Sequence, residues 1–366
     1  MKKFGFDNLL VSDREIFDAI YSQKQKLPDE KLLEICRNYG VFLSNNEDRE
    51  SICHFISTQV SDWNKLKALL DSINHDEKNA KTTTVKFSGA EFKHFKEAIK
   101  EIAPLYEDNH MSHTGKGMSK YEVNLTTSSV ELSNTRLIQK PLKDQKIIVE
   151  KIGEDVILRY DSEEVLEPII NNIIEKVSGK TKGDLKSKEI CLKDIKISDY
   201  RTNFFLSLIV LDDQRYQLRD VKKIKVHHNK NNQTMELKDD DLAKDEGFLK
   251  SAQLSGSSLH NNELYKGLKK LGHYITEITW HIEDTHDKKL LEINAGFLNV
   301  KDCSKFFYDL KCYYKQATKG DRYTTERQKF KENEKSNFFK FFDDFTYKVF
   351  DNTLDEYNNS LVVNDE

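Results

Sequence analysis

His281 and Glu283 stand two residues apart in Trp280-His281-Ile282-Glu283, and Glu292 and Asn294 repeat that spacing in Leu291-Glu292-Ile293-Asn294. In an extended chain alternate side chains share a face. The intervening Asp284-Thr285-His286-Asp287 reads as a turn, so a tight hairpin places His281, Glu283 and Glu292 on one face. Cleavage of a phosphodiester by a divalent metal needs two or three carboxylates around the ion and a His or Lys near the attacked phosphate. These three residues are the candidates for that chemistry. The same alternation is also what a half-buried antiparallel pair requires, with Trp280, Ile282, Leu291 and Ile293 turned to a core. The first-ranked reading is therefore non-catalytic, with no metal and no cofactor.

Cations are densest between Arg219 and Lys230, where Lys222, Lys223, Lys225, His227 and His228 also occur. On a strand, Lys223, Lys225 and His227 point one way and Ile224 and Val226 the other. That cationic face is a candidate ribbon for contacting phosphates, or an edge strand protected against aggregation. A second basic segment holds Arg136, Lys140, Lys143 and Lys146 around Pro141.

Near the N-terminus, Leu32, Ile35, Cys36 and Tyr39 lie on one helical face, and Gly40 then supplies a stop. The extended Val41-Phe42-Leu43-Ser44 follows, and Ile52, Phe55 and Ile56 form a second stripe. This segment, Leu27 to Gln59, resembles the helix-extended-helix motifs of the SAP and LEM families. The resemblance implies binding of DNA or of a chromatin partner through helix N-termini and nearby basic residues, here Arg37 and Arg49. The chain departs from a DNA-binding SAP motif at Asn45, Asn46, Glu47 and Asp48, where a small residue and a lysine are usual. Residues 1–80 carry eleven basic and fourteen acidic side chains. An acidic unit forfeits most of the affinity that neutralising phosphates would provide.

The whole chain of 366 residues has a formal charge of −4, so it has no global field that steers it to polyanions. Nucleic-acid binding must come from a local patch. Its five cysteines are scattered, without zinc-like spacing, and read as reduced core residues. No run approaches the roughly 18 apolar residues that cross a bilayer, and a cytoplasmic protein without membrane contact is expected.

The elements that must hold these candidates mix strands and helices without regular alternation, which predicts an α+β fold. The expected units are a helical one over 1–80, an α+β one over 81–180, and a second α+β one over 189–366. Asn109 to Ser119 reads as a polar linker around Gly115-Lys116-Gly117. A long helix is expected over Thr324 to Asn352, with Phe338, Phe341, Phe342, Phe345 and Val349 at helical spacing. That stripe packs on its own chain or forms a homodimer or protein-partner contact. Taken together, these readings describe a macromolecule-binding protein that contacts nucleic acid through a local basic strand face. The alternatives are the metal-dependent nuclease and a subunit whose partner carries the catalysis.

Overall fold

A computed structural model describes residues 11–60, 62–74, 81–128, 130, 132–139, 142–181, 184–211, 213–228, 251–256, 259, 263–317 and 322–364. Helices α1 (Asp13–Ser22), α2 (Asp29–Asn38), α3 (Arg49–Gln59) and α4 (Trp63–Asn74) come first. Then follow β1 (Thr82–Ser88), α5 (Phe92–Ile102), β2 (Ser112–Lys116), β3 (Lys120–Ser128), β4 (Leu142–Ile152), β5 (Asp155–Asp161), α6 (Glu167–Lys180) and β6 (Lys186–Lys188). The last part holds α7 (Ser198–Ile209), β7 (Tyr216–His228), β8 (Ser251–Ser255), α8 (Glu263–Lys270), β9 (His273–Asp284), β10 (Lys289–Asn299), β11 (Ser304–Lys315) and α9 (Glu332–Asn364). The fold class is α+β.

The chain forms two compact units. The smaller comprises residues 1–78, 103–113 and 123–146, and the larger 79–102, 114–122 and 147–366. In the smaller unit, Ser12 and Glu15 cap α1 reciprocally: Ser12 Oγ accepts from the Glu15 amide at 3.3 Å, and Glu15 accepts from the Ser12 amide at 2.9 Å. Two unsatisfied helix-end donors are thereby met. Ile20, Leu32, Cys36, Ile52 and Ile56 form the core between the helices, and Leu137 and Ile138 from a 3₁₀ turn join it.

Arg49 ties this unit together. Its Nη1 donates to the Leu27 carbonyl at 2.9 Å and to Asp29 Oδ1 at 2.7 Å, and its Nη2 donates to the Ile20 carbonyl at 2.9 Å. The Ile20 carbonyl lies in the last turn of α1, where helices leave acceptors without intrahelical donors, and the Leu27 carbonyl lies in the connection to α2. Replacing Arg49 by methionine, which keeps the apolar stem, is expected to cost about 2 kcal/mol, the size of hydrogen bonds from a charged donor. Loss of amide-exchange protection confined to α1–α3 is the expected readout; unchanged protection would show the clamp to be dispensable.

The sheet of the larger unit runs β5-β1-β11-β10-β9-β7-β8, and every neighbouring pair is antiparallel. Residues 147–152 of β4 add to the outer side of β5, and β6 pairs with β1. One face of the central strands is apolar. Trp280 lies 6.2 Å from Phe342 of α9, Tyr308 lies 5.0 and 5.1 Å from Phe339 and Phe342, and Phe204 of α7 packs against Phe297 and Phe306.

Most of the apolar stripe of α9 packs on its own chain. Phe338, Phe342 and Val349 are buried, and Phe341 and Phe345 pack against the same cluster. Phe341 and Phe345 are half-buried, so of the stripe expected for a homodimer or partner contact Phe338, Phe342 and Val349 are taken up internally. The helix also starts later than expected, because residues before Glu332 bridge back to β11, Gln328 to Tyr313 and Tyr323 to Gln316.

A buried ionic network fastens α9 to the sheet. Arg159 donates through Nη1 to Glu150 at 2.6 Å and through Nε to Asp343, and it is 3% exposed. Asp343 also accepts from Tyr308 at 2.6 Å and from Thr84 at 3.1 Å, while Lys340 reaches Glu150 at 2.6 Å. Burial opposes the charge on Arg159, yet the Asp343 carboxylate beside it holds its pKa above the ordinary value.

Two glycines are dictated by close approach. At Gly89, with φ of 78°, an added Cβ would lie 2.2 Å from the Asp184 carbonyl oxygen. At Gly296 it would lie 2.8 Å from the Thr276 carbonyl oxygen, so this glycine lets β9 and β10 draw together. The polar stretch expected as a linker contains β2, which is hydrogen-bonded to β3. Four of its five residues are exposed, so no apolar periodicity marks it as a strand.

Candidate functional site: the polar face of the large sheet

The face of the central strands opposite Trp280 is lined with polar and charged groups in register. Lys225 stands beside Glu277 and next to Gly296 and Phe307; Lys223 beside Thr279, Asn294 and Asp309; Asp220 beside His281, Glu292 and Cys312. Alternation alone generates these rows, because each strand turns every second residue to this side. Thr279 Oγ1 donates to Asn294 Oδ1 at 2.8 Å. Although the face is polar, Thr279, Asn294 and Asp309 are all buried.

Most of its charges are matched. Lys225 Nζ lies 2.6 Å from Glu277, Lys222 lies 2.6 Å from Asp220, and Arg219 pairs with Glu283. Glu292 has the densest surroundings: it accepts from Tyr314 at 2.8 Å and from Arg327 at 2.8 Å, and His281 Nε2 lies 3.5 Å away. Burial pushes its carboxyl up, but the hydrogen bonds from His281 and Tyr314 outweigh it and lower the pKa to about 2. Cys312 is 3.3 Å from Arg327 Nε, and burial raises its thiol above the ordinary value.

His281 and Glu292 are thus brought together, whereas Glu283 is engaged by Arg219. Both oxygens of Glu292 carry donors from the protein, which leaves no pair of free carboxylates for an ion. Among the described residues no group of three or more His, Cys, Asp or Glu side chains is placed to hold a metal. In this arrangement His281, Glu283 and Glu292 are engaged by one another and by protein donors.

The cationic candidates are placed as follows. Lys223 makes no ion pair with a described residue, Lys225 is neutralised by Glu277, and His227 stands edge-on to Tyr274 at 5.9 Å. Arg136 pairs with Glu15, and the Arg136 hydrogen bond is the leading reason that the Glu15 carboxyl falls to about 2. Arg49 is the internal clamp described above and cannot turn to a phosphate without abandoning three acceptors. Arg37 is exposed on α2. Lys140 lies outside the described residues.

No family model matches this chain. No curated protein is significantly similar to it either. The chemistry of the face therefore has to be read from its own atoms.

Sequence patterning missed Asp309 on this face. Asp309 is 5% exposed, its Oδ1 has no hydrogen-bond partner, and burial raises its pKa from 3.8 to about 6. Lys81 lies 3.8 Å from the centre of the Phe307 ring, and burial lowers its pKa. One signal was available: Phe306-Phe307-Tyr308-Asp309-Leu310 is an apolar run interrupted by a single carboxylate. Such an acid must be solvated, paired or held neutral.

Proposed function

We propose that this is a non-catalytic cytoplasmic binding protein whose partner is another protein, docked on the helix-extended-helix unit. The single observation that carries this reading is the opposite fate of two side chains in that unit. Phe42, in the extended segment between α2 and α3, is 82% exposed, whereas the side chain of Arg49 is 10% exposed and bonded inward. A phosphate-binding surface presents cations; an aromatic ring held out from an acidic unit suits the desolvated centre of a protein interface. Five free cysteines agree with a reducing compartment, and no helix among the described residues is long and apolar enough to cross a membrane.

Nucleic acid is the competing ligand, and charge pairing weighs against it. Of the cations nominated for phosphate contact, Lys225, Arg136 and Arg49 each already face a carboxylate. Polynucleotide binding that neutralises several phosphates falls steeply with salt. Titration of labelled single- and double-stranded DNA and RNA should show no saturable binding tighter than about 100 μM at either low or physiological salt. A tight, salt-sensitive complex lost in Lys223→Glu would overturn the proposal. A photo-crosslinking amino acid at position 42 should yield a discrete protein adduct in cells, and its absence would count equally against the docking role.

A further inference from the structure

A cavity of about 350 Å³ opens in the larger unit where β7, the β9–β10 turn and the start of α9 meet. Its size falls in the range of about 300–1,000 Å³ typical of sites for small ligands. Tyr216, Phe330, Phe338 and Phe341 supply ring walls. The Tyr216 ring centre lies 5.0 Å from Phe341 and 5.6 Å from Phe338.

The charge around these rings is unbalanced. Asp213, Asp284, Asp287 and Glu334 line the cavity together with only Arg215 and Lys289. Arg215 is committed to Asp284, at 3.0 and 2.7 Å, and touches Asp287 at 3.0 Å; Lys289 is committed to Glu334 at 2.9 Å. The Asp213 carboxylate accepts the Arg215 main-chain amide at 2.6 Å and faces no cation of its own. Tyr216 is 7% exposed, and the Arg215 guanidinium already lies 5.2 Å from its ring centre. Ring faces attract cations, and carboxylates in excess repel anions from the same space.

We propose that this cavity binds a small organic cation, an alkylammonium or alkylguanidinium, whose charged end meets Asp213, the carboxylate that faces no cation of its own, and whose stem lies on Phe330 and Phe341. An anion would have to displace a carboxylate from Arg215 or Lys289 to find a partner. A neutral ligand of the same shape would fill the rings but leave the acidic excess unmatched.

Calorimetric titration of the full chain with n-butylammonium, n-butylguanidinium and neutral 1-pentanol separates these cases. Both cations should saturate one site, with pentanol weaker by about tenfold or more. Asp213→Asn, an exposed position, should reduce the cations' affinity severalfold and leave pentanol unchanged. Phe330→Ala should weaken all three probes. Equal binding of cation and alcohol, insensitivity to Asp213→Asn, or no cation binding up to about 10 mM would each overturn the assignment.

Discussion

Replacing Asp343 by alanine is expected to lower the unfolding free energy of the larger unit by about 3–5 kcal/mol, the usual penalty for breaking a buried ion pair from one side. The truncation removes the partner of the Arg159 Nε and the acceptor for Tyr308 and Thr84 in one step. Arg159 would keep Glu150, but its Nη2 already has no hydrogen-bond partner, so a second unsatisfied position would be added to the first. The counter-variant is informative. Arg159→Met with Asp343→Leu removes both charges, leaves Glu150 with Lys340, and should recover most of the loss, because apolar replacement of a buried pair is often neutral. Urea unfolding followed through Trp280, with Trp63 replaced by Phe, reads the difference. A single variant as stable as the parent would mean that the network contributes nothing to stability.

Asp309 should make the protein less stable as pH rises between about 4 and 6. Below the ordinary carboxyl value of 3.8 both folded and unfolded chains hold the proton, so the group contributes no difference. Between 3.8 and the folded value of about 6, the unfolded chain releases the proton and the folded chain retains it, so each pH unit favours unfolding. Above about 6 both are ionised and the loss is complete. A displacement of this size corresponds to roughly 3 kcal/mol. Asp309→Asn should therefore match the parent near pH 4 and exceed its stability by up to about 3 kcal/mol at pH 7. Denaturation midpoints that run parallel across this range would show that the carboxyl is solvated or paired.

The elements that sequence patterning captured are those with one wet and one dry face. Trp280 and Ile282 alternate with His281 and Glu283, and that contrast located the β9–β10 hairpin and its two faces, while the turn falls one residue later than expected, with Asp284 paired to Lys289. The stripe from Phe338 to Val349 likewise marked α9. Strand β11 gave no such contrast, because Phe306, Phe307 and Tyr308 are apolar on consecutive positions and bury on both sides of the sheet. Strand β2 failed for the opposite reason, being polar on both faces. For the site, residue type was legible but pairing was not. Nothing local in Lys225 announces Glu277, which lies 52 positions away, or tells Arg49 that it will bind the carbonyl of Ile20. Charge density along a sequence overstates the cationic surface wherever folding brings carboxylates alongside.

The dry side of β9, β10 and β11 is closed by α9, which follows all three strands in the sequence. During synthesis, Trp280, Tyr308 and the buried Arg159 must therefore wait, uncovered or only loosely covered, until Phe342, Asp343 and Phe350 have left the ribosome. A premature stop within α9 would not yield a shortened but serviceable protein. It would release a chain with an open aromatic sheet and a guanidinium stripped of one of its two carboxylates, a product for chaperones and proteases rather than for partners.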